Sequence, residues 1–196
     1  MDSAFANVGL LLINTLFGLY MLVVMLRLLL QLVRADFYNP LSQFVVKATN
    51  PLLIPLRRII PAIGGLDTSS LLLAYLVQAT AIALIMLLAG MPFNPIAIVM
   101  WSGVGVLALI VNIYFWGLII TIVASWIAPM SQNPALLLIR QILEPVTKPI
   151  RNMLPDLGGI DISPIFLFLA IQIVDMLVVK QLGAVLGVPP GLIVGL

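Results

Sequence analysis

Pro51-Leu52-Leu53-Ile54-Pro55-Leu56-Arg57-Arg58-Ile59-Ile60-Pro61-Ala62-Ile63-Gly64-Gly65-Leu66-Asp67 is written a second time, 94 residues on, as Pro145-Val146-Thr147-Lys148-Pro149-Ile150-Arg151-Asn152-Met153-Leu154-Pro155-Asp156-Leu157-Gly158-Gly159-Ile160-Asp161. At the same offset Asn39-Pro40 matches Asn133-Pro134, Ser69 matches Ser163, Leu73 matches Leu167 and Gln78 matches Gln172. Twelve identities therefore fall on 40 ungapped positions, mostly at Pro, Gly and polar residues. A leucine-rich composition does not produce that pattern, so the chain is read as an internal duplication.

Moving outward from the repeat, four apolar stretches flank it: about 5–33, 71–89, 96–128 and 164–186. Each is long enough to cross a bilayer as a helix, which takes about 20 residues. The whole chain is 63% hydrophobic and 8% charged, where soluble domains carry about 25% charge. Strands of a membrane barrel would alternate polar and apolar residues, and these stretches do not. The expected fold is all-α: four transmembrane helices in two parallel tandem repeats, 1–95 and 96–196, each built as helix, connector, helix. No cleavable signal peptide is expected, because Met1-Asp2-Ser3 lacks a basic region and the apolar run that follows is too long.

The basic residues set the expected orientation. Arg34, Lys47, Arg57 and Arg58 lie in the first connector, and Arg140, Lys148 and Arg151 in the second. The loop 90–95 and the N-terminal tail hold neither Lys nor Arg. Positive charge stays in the cytoplasm, so both connectors are expected there and both termini outside. Lys180, near the far end of the last span, opposes this.

Within each connector, Asn39-Pro40 and Asn133-Pro134 suit a helix start. The apolar spacing of Leu41, Phe44, Val45 and Ala48 is helical. Short helices at the lipid interface are expected, ended by Pro51 and Pro145. Pro55, Pro61, Pro149 and Pro155 then keep the next segment irregular, Gly64-Gly65 and Gly158-Gly159 turn the chain before Asp67 and Asp161, and Asp67 or Ser69 can cap the following span. Lys47, Arg57, Arg58, Arg140, Lys148 and Arg151 are either topological anchors or a surface for anionic lipid headgroups or a protein partner.

Four polar residues fall inside spans: Arg27, Gln78, Gln172 and Asp175. Ionisable groups there are functional candidates. Their depths allow them to converge, and an Arg27–Asp175 pair between neighbouring first and fourth spans is expected. The bland alternatives are snorkelling for Arg27 and interhelical hydrogen bonding for the glutamines. With neither Cys nor His in the chain, thiolate chemistry and Cys or His metal sites are excluded. No catalytic residue, metal site or cofactor is assigned, and a net charge of +2 gives no reason to expect nucleic acid as a partner.

Asp36-Phe37-Tyr38-Asn39-Pro40, followed by Pro51, Pro55, Arg57-Arg58, Pro61 and Gly64-Gly65-Leu66-Asp67, resembles the YggT family, and Asn133 to Ser163 looks like the same repeat again. The resemblance implies a bacterial inner-membrane protein with two repeats. It also implies kinship with the YlmG proteins, linked to cell division through neighbouring genes, and with plastid members linked to cytochrome assembly and nucleoid distribution. Osmotic adaptation and ion uptake are associated with close members. The reading that follows is a non-enzymatic membrane organiser or assembly factor; the alternative is a small transporter or channel component.

Overall fold

Asn-Pro pairs open three of the helices. In a computed structural model, which describes residues 3–155 and 161–195, the side chain of Asn39 accepts from Leu41 N at 2.9 Å, that of Asn94 from Ile96 N at 3.1 Å, and that of Asn133 from Ala135 N at 2.8 Å. A proline at the first helical position has no N–H to leave unsatisfied and carries a helical φ. These caps start α2 (Pro40–Ile59), α4 (Pro95–Ile127) and α5 (Pro134–Met153). The other helices are α1 (Ser3–Leu32), α3 (Thr68–Leu88) and α6 (Ser163–Val174), the last continuing through a π-helical stretch, Asp175–Lys180, into α7 (Gln181–Val185).

Four of these elements are long and apolar enough to cross a membrane: Ala4–Leu32, Thr68–Leu88, Pro95–Ile127 and Ser163–Val185. They match the four sequence stretches to within a few residues. No strand occurs among the described residues beyond a single bridge, Ile63 to Leu66. That bridge closes a two-residue turn with Gly64 at φ 62° and Gly65 at φ 85°, and Ile63 and Leu66 exchange both backbone hydrogen bonds. Positive φ at both central residues defines the turn that fits a hairpin twist, and glycine adopts it without strain. Gly158 and Gly159, expected to repeat it, lie outside the described residues.

The connectors differ from expectation. Pro51 and Pro145 do not end their helices: α2 runs through Pro51 and Pro55, and α5 through Pro145 and Pro149. An interior proline removes one hydrogen bond and crowds the carbonyl four residues back, at a cost of about 3 kcal/mol. The burial pattern explains the tolerance. α2 buries Ser42, Val45, Thr49 and Leu53 on one stripe, whereas Pro51, Pro55 and Lys47, which bears one of the freed carbonyls, are exposed. α5 buries Leu138, Ile142, Leu143 and Thr147, and exposes Gln141, Pro145 and Pro149. The freed carbonyls thus face water or headgroups, and docking of the opposite stripe holds each helix together.

α1 supplies the centre of the structure. Its inner half is buried nearly all round: Val24, Met25, Leu28, Leu29 and Leu30 are each at most 4% exposed, enclosed by α2, α3, α4 and α5. Its outer half shows Leu11, Leu12, Leu16 and Leu19 at more than half exposure. Such surface suits lipid and not water. α3 joins the halves by packing on both α1 and α4, while α6 packs on α4 and α5. Among the described residues α1 and α6 make no contact, so the first and last spans are not the neighbours expected from sequence.

Candidate functional site

The first connector returns to the membrane through an ion pair. Arg57, in the last turn of α2, donates through Nη2 to Asp67 Oδ2 and to Gln31 Oε1, the latter at 2.8 Å. Asp67 is the N-cap of α3 and 3% exposed. It also accepts from Ser70 Oγ at 2.6 Å and Ser70 N at 3.3 Å. Burial opposes its charge, but the Arg57 and Ser70 hydrogen bonds and the Arg57 charge outweigh that and hold the carboxyl below its ordinary range. Thr68 Oγ1 and Ser69 Oγ donate to the carbonyls of Pro61 and Ile60, at 2.6 and 2.8 Å, locking the end of α2 to the start of α3.

Arg27 sits one helical turn above Gln31 on α1. It is 7% exposed, and its Nε and Nη1 are buried without a hydrogen-bond partner among the described residues. Arg57 and Asp67 are the charged groups acting on it. It therefore does not snorkel freely; it is enclosed where α1 meets the connector.

The second copy repeats this geometry in weaker form. Arg151 Nε donates to Asp161 Oδ2 at 3.0 Å, with the two side chains 52% and 42% exposed. Slight burial opposes the Asp161 charge, but Ser163 and Arg151 lower its pKa. At the matched positions, Pro164 stands for Ser70, Thr121 for Arg27 and Ser125 for Gln31. The second site thus lacks counterparts to the Ser70 hydroxyl, the second guanidinium and the amide.

The connectors form one face. Asn39, 7% exposed, donates through Nδ2 to the Pro134 carbonyl at 2.9 Å, and Asp36 N donates to Gln141 Oε1 at 3.2 Å. The start of α2 is tied to α5 by these bonds. Lys47, Arg58 and Lys148 are exposed on it, while Arg140 is half-buried. α2 also exposes Leu41, Phe44, Leu52 and Ile59 at helical spacing beside its docked stripe, each between 41% and 79%. α5 exposes no comparable stripe; Gln141, Glu144, Lys148 and Asn152 occupy its outer side.

The intramembrane polar residues do not gather at one point. Gln78 is fully buried, with both amide atoms unpaired among the described residues, and is pressed against α4 at Gly105, where a Cβ would lie 2.7 Å from its Nε2. Gln172 and Asp175 line a cavity of about 210 Å³ with Asn112, Val111 and Phe115. Asp175 pairs with Lys180 at 2.8 Å and not with Arg27. In an α-helix residues five apart lie about 140° round the axis. The π-helical winding from Asp175 to Lys180 stacks residues five apart and brings the two side chains together. Sequence reasoning missed Gln31 and Asn112. Gln31 was legible in principle, since it lies four residues from Arg27 on the same face. Asn112 stands alone in an apolar span and carries no local signal of its role.

These elements define a multi-pass helical membrane protein of two repeated units. The chain belongs to the CCB3/YggT family: the family description matches residues 6–88 and again residues 100–182. The two matches begin and end 94 residues apart, the spacing of the sequence repeat. An uncharacterised protein of Pseudomonas aeruginosa is 50% identical over 90% of this chain and 91% of its own length. The uncharacterised protein YggT of Escherichia coli K12 is 40% identical over 88% and 90%. One from Vibrio alginolyticus, also uncharacterised, is 39% identical over 89% and 95%. No solved structure matches the chain.

Proposed function

We propose that this protein is a non-enzymatic organiser or assembly factor of the bacterial inner membrane, with its connectors in the cytoplasm and its termini in the periplasm. It would act by docking a membrane or division protein on the face made by α2 and α5. The observation that carries this reading is the joining of two amphipathic basic helices by the Asn39–Pro134 hydrogen bond, with Lys47, Arg58 and Lys148 left on the outside. The apolar stripe on α2 supports contact with lipid on the same face, as interfacial helices make. Photo-crosslinkers placed at 47, 58 and 148 in native membranes are expected to capture one reproducible protein. With the crosslinker at one of these positions, glutamine at the other two should abolish capture while insertion is unchanged. Capture of lipid alone would remove the partner from the reading.

The cavity lined by Asn112, Gln172 and Asp175 favours a second reading, a small transporter or channel component handling ions. Cation flux into liposomes containing the purified protein, lost on Asp175→Asn, would support it over the first.

A further inference from the structure

Arg27 remains positive at any pH a cell reaches. Two of its three guanidinium nitrogens are sealed in the fold without a partner among the described residues. An uncompensated buried charge is among the least favourable arrangements a protein can hold. Its neighbours do not relieve it. Asp67 supplies the nearby negative charge, but its hydrogen bonds come from Arg57 and Ser70 and none comes from Arg27. Gln31 Oε1 is likewise taken by Arg57. Two guanidinium groups thus share one carboxylate, leaving a surplus of one positive charge and two N–H-bearing nitrogens without acceptors.

We propose that Arg27 and Arg57 form a site for a single phosphate-type oxyanion: the phosphodiester of a lipid headgroup, or inorganic phosphate as its soluble counterpart. This rests on the reading that the connector face lies against the membrane, and it adds a defined ligand to that reading. A monoanion balances the surplus charge. The planar guanidinium fork matches the spacing of phosphate oxygens. The depth also fits. Arg27 lies five residues inside the end of α1 at Leu32, about 7.5 Å along the axis, within reach of headgroup level for a long side chain. Arg57 is 38% exposed at its side chain, so an anion approaches from the connector side against Arg57, and reaching the sealed Arg27 nitrogens requires the side chains that enclose them to part. Leu41, Phe44, Leu52 and Ile59 on α2 offer acyl chains a surface on the same helix.

Among its described residues the second copy has no such site. Thr121 stands at the position of Arg27, and its hydroxyl is already bonded to the Gly117 carbonyl at 2.7 Å. One bound anion per chain is therefore expected.

The test uses the full-length protein, delipidated in neutral detergent. Native mass spectrometry and thermal unfolding are followed while phosphatidylglycerol, uncharged diacylglycerol or sodium phosphate is added at matched ionic strength. Phosphatidylglycerol is expected to give one retained adduct and a higher melting temperature, and diacylglycerol neither. Arg27→Gln should weaken binding about tenfold or more, the worth of a charge-assisted hydrogen bond. Arg27→Lys, which keeps the charge and loses the fork, should bind at an intermediate level. Arg34→Gln, at an exposed basic residue outside both the cluster and the docking set, should leave binding unchanged. Stabilisation by phosphate without lipid retention would keep the site and assign it the soluble source. If neither ligand stabilises the wild-type protein, the proposal is overturned, even where Arg27→Gln fails to fold. It is equally overturned if Arg34→Gln loses as much as Arg27→Gln, because binding is then diffuse surface attraction. A retained adduct with no protein captured at positions 47, 58 and 148 would sink the docking reading and leave this one standing.

Discussion

The two copies of the repeat keep the same ion pair and bury it differently. Arg57–Asp67 is enclosed by α1, with Asp67 3% exposed and bonded by Ser70, and Arg27 and Gln31 close by. Arg151–Asp161 is open, its carboxylate side chain 42% exposed, with proline in place of Ser70. α1 is the cause. It touches both connector helices, with α2, α3, α4 and α5 around its inner half, whereas its counterpart α4 touches α5 but not α2 and packs on α1, α3 and α6 among the described residues. An arginine and a carboxylate at the same spacing are therefore a structural clamp with an unsatisfied neighbour in one copy and a surface pair in the other. Burial, together with the loss of counterparts to Ser70, Arg27 and Gln31 in the second copy, separates their energetics.

The largest effect expected from this difference is on stability. Asp67→Ala should cost about 3 kcal/mol, because it leaves Arg57 and Arg27 without a counter-charge in a buried setting. Asp161→Ala should cost less than about 1 kcal/mol, as exposed pairs do. Thermal unfolding in detergent measures both, and equal losses would break the comparison.

Next in size is the seat of α3 on α4. Gly105→Ala should cost about 2 kcal/mol, since the new methyl meets the Gln78 side chain at 2.7–3.0 Å in a filled interior. Adding Gln78→Ala should recover most of that loss. Gln172→Ala, at the half-buried matched position, should stay within about 0.5 kcal/mol. A double variant no more stable than Gly105→Ala alone would show that the glycine serves something other than close packing.

The pH dependence sharpens the same contrast. Both carboxyls titrate below their ordinary value of 3.8 when folded. The unfolded chain therefore takes up protons first as pH falls. The stabilisation is complete above the ordinary value and disappears as pH drops through the lower folded value. Melting temperature should be flat from neutral pH to about pH 5 and fall below about pH 4. Asp67→Asn should flatten that decline more than Asp161→Asn. An identical acid profile in the two variants would mean that the buried pair carries no extra linkage.

The smallest effects are expected at the connector prolines. Pro55→Ala and Pro149→Ala each restore a helix hydrogen bond on an exposed face while loosening the unfolded chain. The two terms oppose one another, so both variants should remain folded with stability unchanged or raised by about 1 kcal/mol. Circular dichroism and melting curves decide this. A loss of helix in one connector alone would show that its proline positions the docked stripe.

Much of the fold is legible in the chain because it rests on local chemistry. Twenty-residue apolar runs, Asn-Pro starts and the Gly64-Gly65 turn act over a few residues each. The basic residues of the connectors are equally visible, and so is the Arg-to-Asp spacing that the repeat preserves. The candidate site is less legible. Arg27 reads as a snorkelling residue or an ion partner, and nothing nearby in sequence says that two of its nitrogens end without acceptors. Asp175 and Lys180, five residues apart, read as facing different ways until the helix is wound as a π-helix.

Composition and periodicity alone determine that this protein is helical, that four of its segments are long and apolar enough to span a membrane, and that it is built of two copies. A lipid solvent demands apolar surface and satisfied backbone whatever the tertiary arrangement. The tertiary structure decides where those elements stop and which polar groups meet. Asn50-Pro51 carries the same start signal as Asn39-Pro40, yet it lies inside α2, because Thr49 and Leu53 on the opposite face are already docked. The same docking leaves Asp67 buried, Asp161 exposed and Arg27 enclosed. Each outcome depends on which helix lies alongside, a contact between residues far apart in sequence that local spacing does not encode.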